Sequence, residues 1–117
     1  MKPLITAAEL LAIKDQPNVL VCDASAGPNA RANYETAHLE GAIYVDPERQ
    51  LATPTSNASE GGRHPLPTLE KFSVVLGSLG IAPDSHVVIY DDKQAGNAAA
   101  RFWWMLKAIG HQKVQVL

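Results

Sequence analysis

Few side chains in this 117-residue sequence have both the type and the setting for chemistry. Asp91 and Asp92 follow the apolar run Val87-Val88-Ile89-Tyr90. Carboxylates where a strand ends can hold magnesium or accept a phosphoryl group. These two are adjacent and no acid cluster follows them, so the residues favour the plainer role of capping a turn and a helix. Cys22 is the single thiol, set in Val19-Leu20-Val21-Cys22, where burial would raise its pKa and deny access. One Cys and four widely spaced His residues (His38, His64, His86 and His111) offer no ligand spacing, so neither a metal nor a cofactor is expected. His111, just past a helix end, is expected to meet that helix's last carbonyls. His64 lies in Gly61-Gly62-Arg63-His64-Pro65-Leu66-Pro67, where glycines allow close approach and prolines fix the exit. Its ring is thereby held in a defined direction, and Arg63 beside it can meet an anion.

These residues need elements to position them, and the apolar pattern supplies an alternation of strands and helices. Thr6-Ala7-Ala8-Glu9 fits a capping box that opens a helix running to about Lys14. A strand follows from Asn18 to Asp23, apolar on both faces as a central parallel strand must be. The polar stretch from Ala24 to Asn33 leads through a short helical turn to a second strand, Gly41 to Val45. Thr53 to Pro67 holds three Pro and two Gly and reads as a long functional loop. Leu69, Phe72, Val75, Leu76 and Leu79 keep helical spacing, with Gly80 as the stop. His86 to Tyr90 is the clearest strand, and a helix from about Asn97 to Ile109 follows, with Asn97 as its N-cap and Gly110 as its end. That helix is apolar around much of its circumference and must be covered on more than one side. Val114 to Leu117 begins a further strand. In such folds a site is sought beyond the carboxyl ends of the strands, at Asp23, Val45 to Glu48 and Asp91 to Gly96.

Composition narrows the class. With 10 Lys plus Arg against 12 Asp plus Glu, scattered along the chain, there is no basic footprint for nucleic acid or an acidic membrane surface. No apolar stretch is long enough to span a bilayer, and a lone Cys excludes a disulfide framework. One domain over residues 1–117, in a reducing cytoplasm, is the expectation.

Three segments together resemble the rhodanese superfamily, specifically the N-terminal half of tandem-domain sulfurtransferases that use thiosulfate or 3-mercaptopyruvate. The first is Val21-Cys22-Asp23-Ala24-Ser25 with Arg31, Tyr34 and His38-Leu39-Glu40-Gly41-Ala42-Ile43. Ala37, Leu39 and Glu40 depart from the family's usual Gly, Ile and Pro there. The second is Gly62 to Pro67, and the third runs from His86 to Asp91 and on through Ala99-Ala100-Arg101-Phe102-Trp103-Trp104-Met105-Leu106 to Gly110-His111. The resemblance implies an α/β domain with a mostly parallel five-stranded sheet and helices on both faces. It implies no cofactor, a second rhodanese domain and a small sulfur compound as partners, and a chain cut before its last helix and before that second domain.

In the family the second domain carries the catalytic Cys at the strand end that matches Asp91. The resemblance therefore makes this chain the half that supports sulfur transfer without supplying the nucleophile. It assigns auxiliary roles, reaching into the other domain's site, to Glu48, where the family has Asp more often, and to His64. Asp23, Arg31 and His38 match a motif that sets the fold's conformation through hydrogen bonds and ion pairs. A non-enzymatic module that binds a partner protein is the competing expectation. Trp103 and Trp104 point about 100° apart on a helix, so one is expected to face outward and promote self-association of the chain.

Overall fold

Helix and strand alternate along the chain as the apolar runs require. The computed structural model describes residues 1–52, 66–92 and 98–117. The elements are α1 (Ala7–Ile13), β1 (Val19–Asp23), α2 (Ala30–Thr36), β2 (Ile43–Tyr44), α3 (Leu69–Ser78), β3 (His86–Tyr90), α4 (Ala98–Ala108) and β4 (Val114–Val116). The capping box forms as the sequence predicts: Glu9 N–H donates to Thr6 Oγ1 at 3.1 Å and Thr6 N–H to Glu9 Oε1 at 3.0 Å. Those bonds hold the Glu9 carboxyl below its ordinary pKa. Thr68 caps α3 with its Oγ1 alone, which accepts the Lys71 N–H. Gly80 stops the chain after α3 at φ 80°, a left-handed conformation that a side chain would resist.

All pairings are parallel, in the order β2-β1-β3-β4. Successive side chains of a strand face opposite ways, and both faces here are covered. Cys22, Val87, Ile89, Val114 and Val116 pack against Phe72 and Leu76 of α3 and Phe102 and Leu106 of α4. Phe72 and Phe102 meet edge to face at 6.3 Å between ring centres. Val21 and Val88 pack on the other side with Ile5 and Leu10. This two-sided burial is why the strands read as unbroken apolar runs.

Four strands are present among the described residues where five were expected. The fifth position is a single bridge between Leu4 and Val116, reinforced when Ile5 N–H donates to the Val116 carbonyl. Pro3 lacks an N–H and the α1 cap begins at Thr6, so too little chain remains there for a ladder. Gln115 ties the same segment by donating to the Lys2 carbonyl at 2.9 Å, while its Oε1 lies 2.8 Å from His86 Nε2. His111 meets the end of α4 as expected, although through its backbone. Its backbone N–H, not its ring, meets the α4 carbonyl of Leu106, and its Nε2 lies 2.8 Å from the Ser85 carbonyl instead. The expected N-cap Asn97 lies outside the described residues.

Register brings three strand ends level. Asp23 is opposite both Tyr44 and Tyr90, and the chain leaves β1 toward β2 on one side while β3 and β4 lie on the other. The crevice at that reversal is where an open parallel sheet holds its chemistry.

Candidate active site at the strand ends

At the end of β3, Asp91 Oδ2 accepts the Ala99 N–H at 2.9 Å. The first-turn N–H groups of a helix have no partner within it and carry partial positive charge, so a carboxylate is a favourable acceptor there. Asp92 N–H donates to Ser25 Oγ at 3.1 Å. Ser25 in turn donates from Oγ at 2.6 Å and from N at 2.9 Å to Asp23 Oδ1. Asp23 and Ser25 are both buried, so this chain of bonds ties the ends of β1 and β3 together away from water.

Cys22 stands one residue before Asp23, yet its side chain belongs to the apolar core beneath α3 and α4 and has no solvent exposure. Burial pushes its thiol up to about 12. A thiolate is therefore suppressed at neutral pH, as the sequence reading of an inert Cys requires.

The end of β2 differs. Asp46 Oδ1 accepts N–H groups from Glu48 at 3.0 Å and Arg49 at 3.3 Å, and the Asp46 carbonyl accepts from Gln50 at 2.9 Å. This capped turn points Glu48 and Arg49 outward around a cleft of about 290 Å³, which Arg31, Tyr44 and Asp46 also line. The Arg31 guanidinium lies 5.8 Å from the Tyr44 ring centre, and its Nε is 3.4 Å from Glu35. Burial, followed by the negative charge of Asp46, raises the Tyr44 pKa. The chain beyond this turn is held to the helices. Arg101 Nη2 donates to the Leu51 carbonyl and Lys71 Nζ to that of Ala52.

The motif residues Asp23, Arg31 and His38 do form hydrogen bonds and an ion pair, but in three separate places. Asp23 serves Ser25, Arg31 serves Glu35, and the His38 ring stacks on Tyr34 at 4.0 Å. Tyr34 anchors the turn before β2 by donating to the Ala42 carbonyl at 2.6 Å. Tyr90 accepts the Leu39 N–H, and its pKa is raised first by burial.

Glu48 thus stands at the cleft and Asp91 at the β3 end, while His64 and Arg63 lie outside the described residues. Sequence reasoning passed over three residues of the crevice. Ser25 was visible only as part of a motif, Tyr44 had the signal of an aromatic ending a strand, and Arg49 had none. Among the described residues no group of His, Cys, Asp and Glu is arranged to hold a metal ion, and no helix is long and apolar enough to cross a membrane.

Residues 6–117 match the rhodanese-like domain, and the chain belongs to that family. It is 40% identical over 111 residues to a Pseudomonas aeruginosa protein named probable 3-mercaptopyruvate sulfurtransferase, covering 92% of this chain and 38% of that one. Over 92 residues it is 39% identical to the mouse 3-mercaptopyruvate sulfurtransferase, covering 78% of this chain and 29% of the mouse protein. The crystal structure of the Escherichia coli 3-mercaptopyruvate sulfotransferase SseA superposes with a TM-score of 0.77 at 30% identity, covering the whole of this chain and 45% of that one. A sulfur transferase subunit of yeast mitochondrial complex I gives a TM-score of 0.82, also at 30% identity, over 99% of this chain and 38% of the subunit. The chain therefore spans less than half the length of these relatives.

Proposed function

We propose that this domain is the non-catalytic N-terminal half of a two-domain sulfurtransferase that moves sulfur from 3-mercaptopyruvate or thiosulfate to a thiol or cyanide. The observation that carries the reading is Asp91. It stands at the strand end where the family resemblance puts a catalytic Cys, and its carboxylate is engaged with the α4 backbone at 2.9 Å. Sulfur transfer needs a thiolate that attacks the donor's sulfur, keeps it as a persulfide and expels the donor's remainder with the bonding electron pair. An acceptor thiolate then takes the outer sulfur and returns the enzyme thiolate. A carboxylate cannot do this, and Cys22 is sealed in the core. The nucleophile is accordingly assigned to a second rhodanese domain, and Glu48 with His64 to proton transfer at the shared site, with Arg63 as an anion or interface contact.

Intact-mass measurement after exposure to either donor tests the first half of this reading: the chain is expected to gain no sulfur. Persulfide on Cys22 would overturn it. In the two-domain protein, His64→Ala is expected to lower turnover on mercaptopyruvate by about a hundredfold or somewhat less, with little loss of stability. An unchanged rate would return His64 to a structural part.

The same Asp91 favours a second reading, a rhodanese module that binds a partner protein and has no catalytic role. Cysteine-dependent turnover from a second domain of the same protein excludes it. The reducing cytoplasm suits a chain whose one Cys is held as a thiol. Trp104 and Ile109 are exposed beside an apolar groove of about 170 Å³ between α3 and α4, which supports self-association of the chain. Sedimentation showing only monomer at high concentration rejects that part.

A further inference from the structure

The cleft at the end of β2 is ringed by charge of both signs, with Arg31 and Arg49 facing Asp46 and Glu48 around the Tyr44 ring. We infer that it binds a small zwitterion of the α-amino-acid type. In the sulfur-transfer reading above, on which this further role rests, that zwitterion is the aminothiol acceptor.

Size sets the first limit. A volume of about 290 Å³ falls at the lower end for small-molecule sites, so a small metabolite fits and a nucleotide does not. Charge decides among the small molecules of the reaction. A keto acid or thiosulfate brings negative charge alone and would face Asp46 and Glu48 as like charges. An α-amino acid offers its carboxylate to a guanidinium and its ammonium to a carboxylate within one short ligand, so both halves of the lining are satisfied together.

The ion pairs that the two arginines make are easily replaced. Arg49 Nε lies 4.0 Å from Asp46, at the limit of an ion pair, with the Arg49 side chain 87% exposed. Arg31 meets Glu35 through Nε in an exposed pair, a bond that does not use its terminal amino groups. Exposed pairs of this kind hold little energy. The frame around them is firm: Asp46 is fixed by the turn it caps, and Tyr44 is paired in the sheet beside Asp23. A ligand thus meets groups whose backbone is already placed, which lowers the cost of binding.

The test uses S-methylcysteine, which keeps the charges of a thiol-bearing amino acid but can neither form a disulfide nor accept sulfur. Titrated into the protein, it is expected to give saturable amide shifts at Gly27, Tyr44, Glu48 and Arg49. Methylthiopropionate, which lacks the ammonium, and methylthioethylamine, which lacks the carboxylate, are expected to bind at least about tenfold more weakly. Glu48→Gln and Arg49→Gln should each weaken S-methylcysteine by about tenfold while the remaining spectrum stays in place. Equal binding of the three probes, or no saturable shift at the cleft, overturns the inference. Turnover from thiosulfate to cyanide by the two-domain protein involves no zwitterion and reads the sulfur-transfer assignment separately. Turnover without S-methylcysteine binding rejects the zwitterion site alone. Binding without turnover keeps the site and rejects its role as acceptor pocket.

Discussion

The two sides of the strand-end crevice use charge in opposite ways. At the β1 and β3 ends, Asp23 and Asp91 are bonded to Ser25 and to the α4 backbone, and the nearby thiol is buried. At the β2 end, Glu48, Arg31 and Arg49 stand exposed around a cleft, and the two arginines make their ion pairs at the surface. The first side closes the fold; the second is available to something outside it. Carboxylate content therefore says little about function until the partners of each carboxylate are known. Asp91, at the end of β3, is engaged with backbone, whereas Glu48 sits on a short capped turn that lines the cleft.

The largest expected effect tests whether the closed side is truly closed. Cys22 keeps its proton in the fold, where burial lifts its pKa to about 12 from an ordinary 9.0, and loses it in the unfolded chain. Above pH 9 the unfolded state binds fewer protons than the native state, so stability falls as pH rises. The contribution is intact below about pH 9 and is lost progressively toward pH 12. Relative to Cys22→Ala measured alongside, the protein is expected to lose about 2 kcal/mol by roughly pH 10.5 in denaturant unfolding. Parallel curves for the two proteins would mean that the thiol reaches water, and the contrast between the sides would break there.

A smaller effect is expected at Asp91. Asp91→Ala removes the acceptor of the Ala99 N–H and should cost about 1 to 2 kcal/mol in urea unfolding. Faster amide exchange at Ala99 should accompany it. Asp91→Asn keeps an acceptor oxygen and should recover part of the loss. No change in either variant would show that the carboxylate is not serving the helix, and Asp91 would join the available side.

Sequence made the closed side legible to different degrees. Burial of Cys22 could be read because apolar residues on both faces of a strand demand cover on both. The capping role of Asp91 could be read because acids favour helix starts, although the bond spans from the strand end to Ala99 across residues outside those described. The Ser25 link from Asp23 to Asp92 was hidden, since it depends on strands far apart in sequence ending level. The fifth strand came from the family resemblance, and among the described residues it is reduced to one bridge because Pro3 and the Thr6 cap leave too little chain for pairing. On the open side, Glu48 fell in the stretch after the second strand where a site is sought, and its role came from family resemblance. Arg49 had no sequence signal, because its position follows from the Asp46 cap and its partners from the cleft that α2 and β2 enclose.

The smallest expected effect sharpens the comparison most. Glu48→Gln and Arg49→Gln should each change stability by no more than about 0.5 kcal/mol, as surface substitutions away from caps and cores do. Arg49 approaches Asp46 only at 4.0 Å and is 87% exposed, so solvent screens that pair. The turn itself is held by the Asp46 carboxylate and by backbone N–H groups of residues 48 and 49, which remain in both variants. Asp46→Ala is the control: it removes the cap and should cost about 1 kcal/mol or more, as loss of such an acceptor does. Melting curves for the four proteins separate the cases. If Glu48→Gln or Arg49→Gln destabilises as much as Asp46→Ala, the exposed charges are part of the fold's own bonding, and the β2 end is no more available than the β3 end.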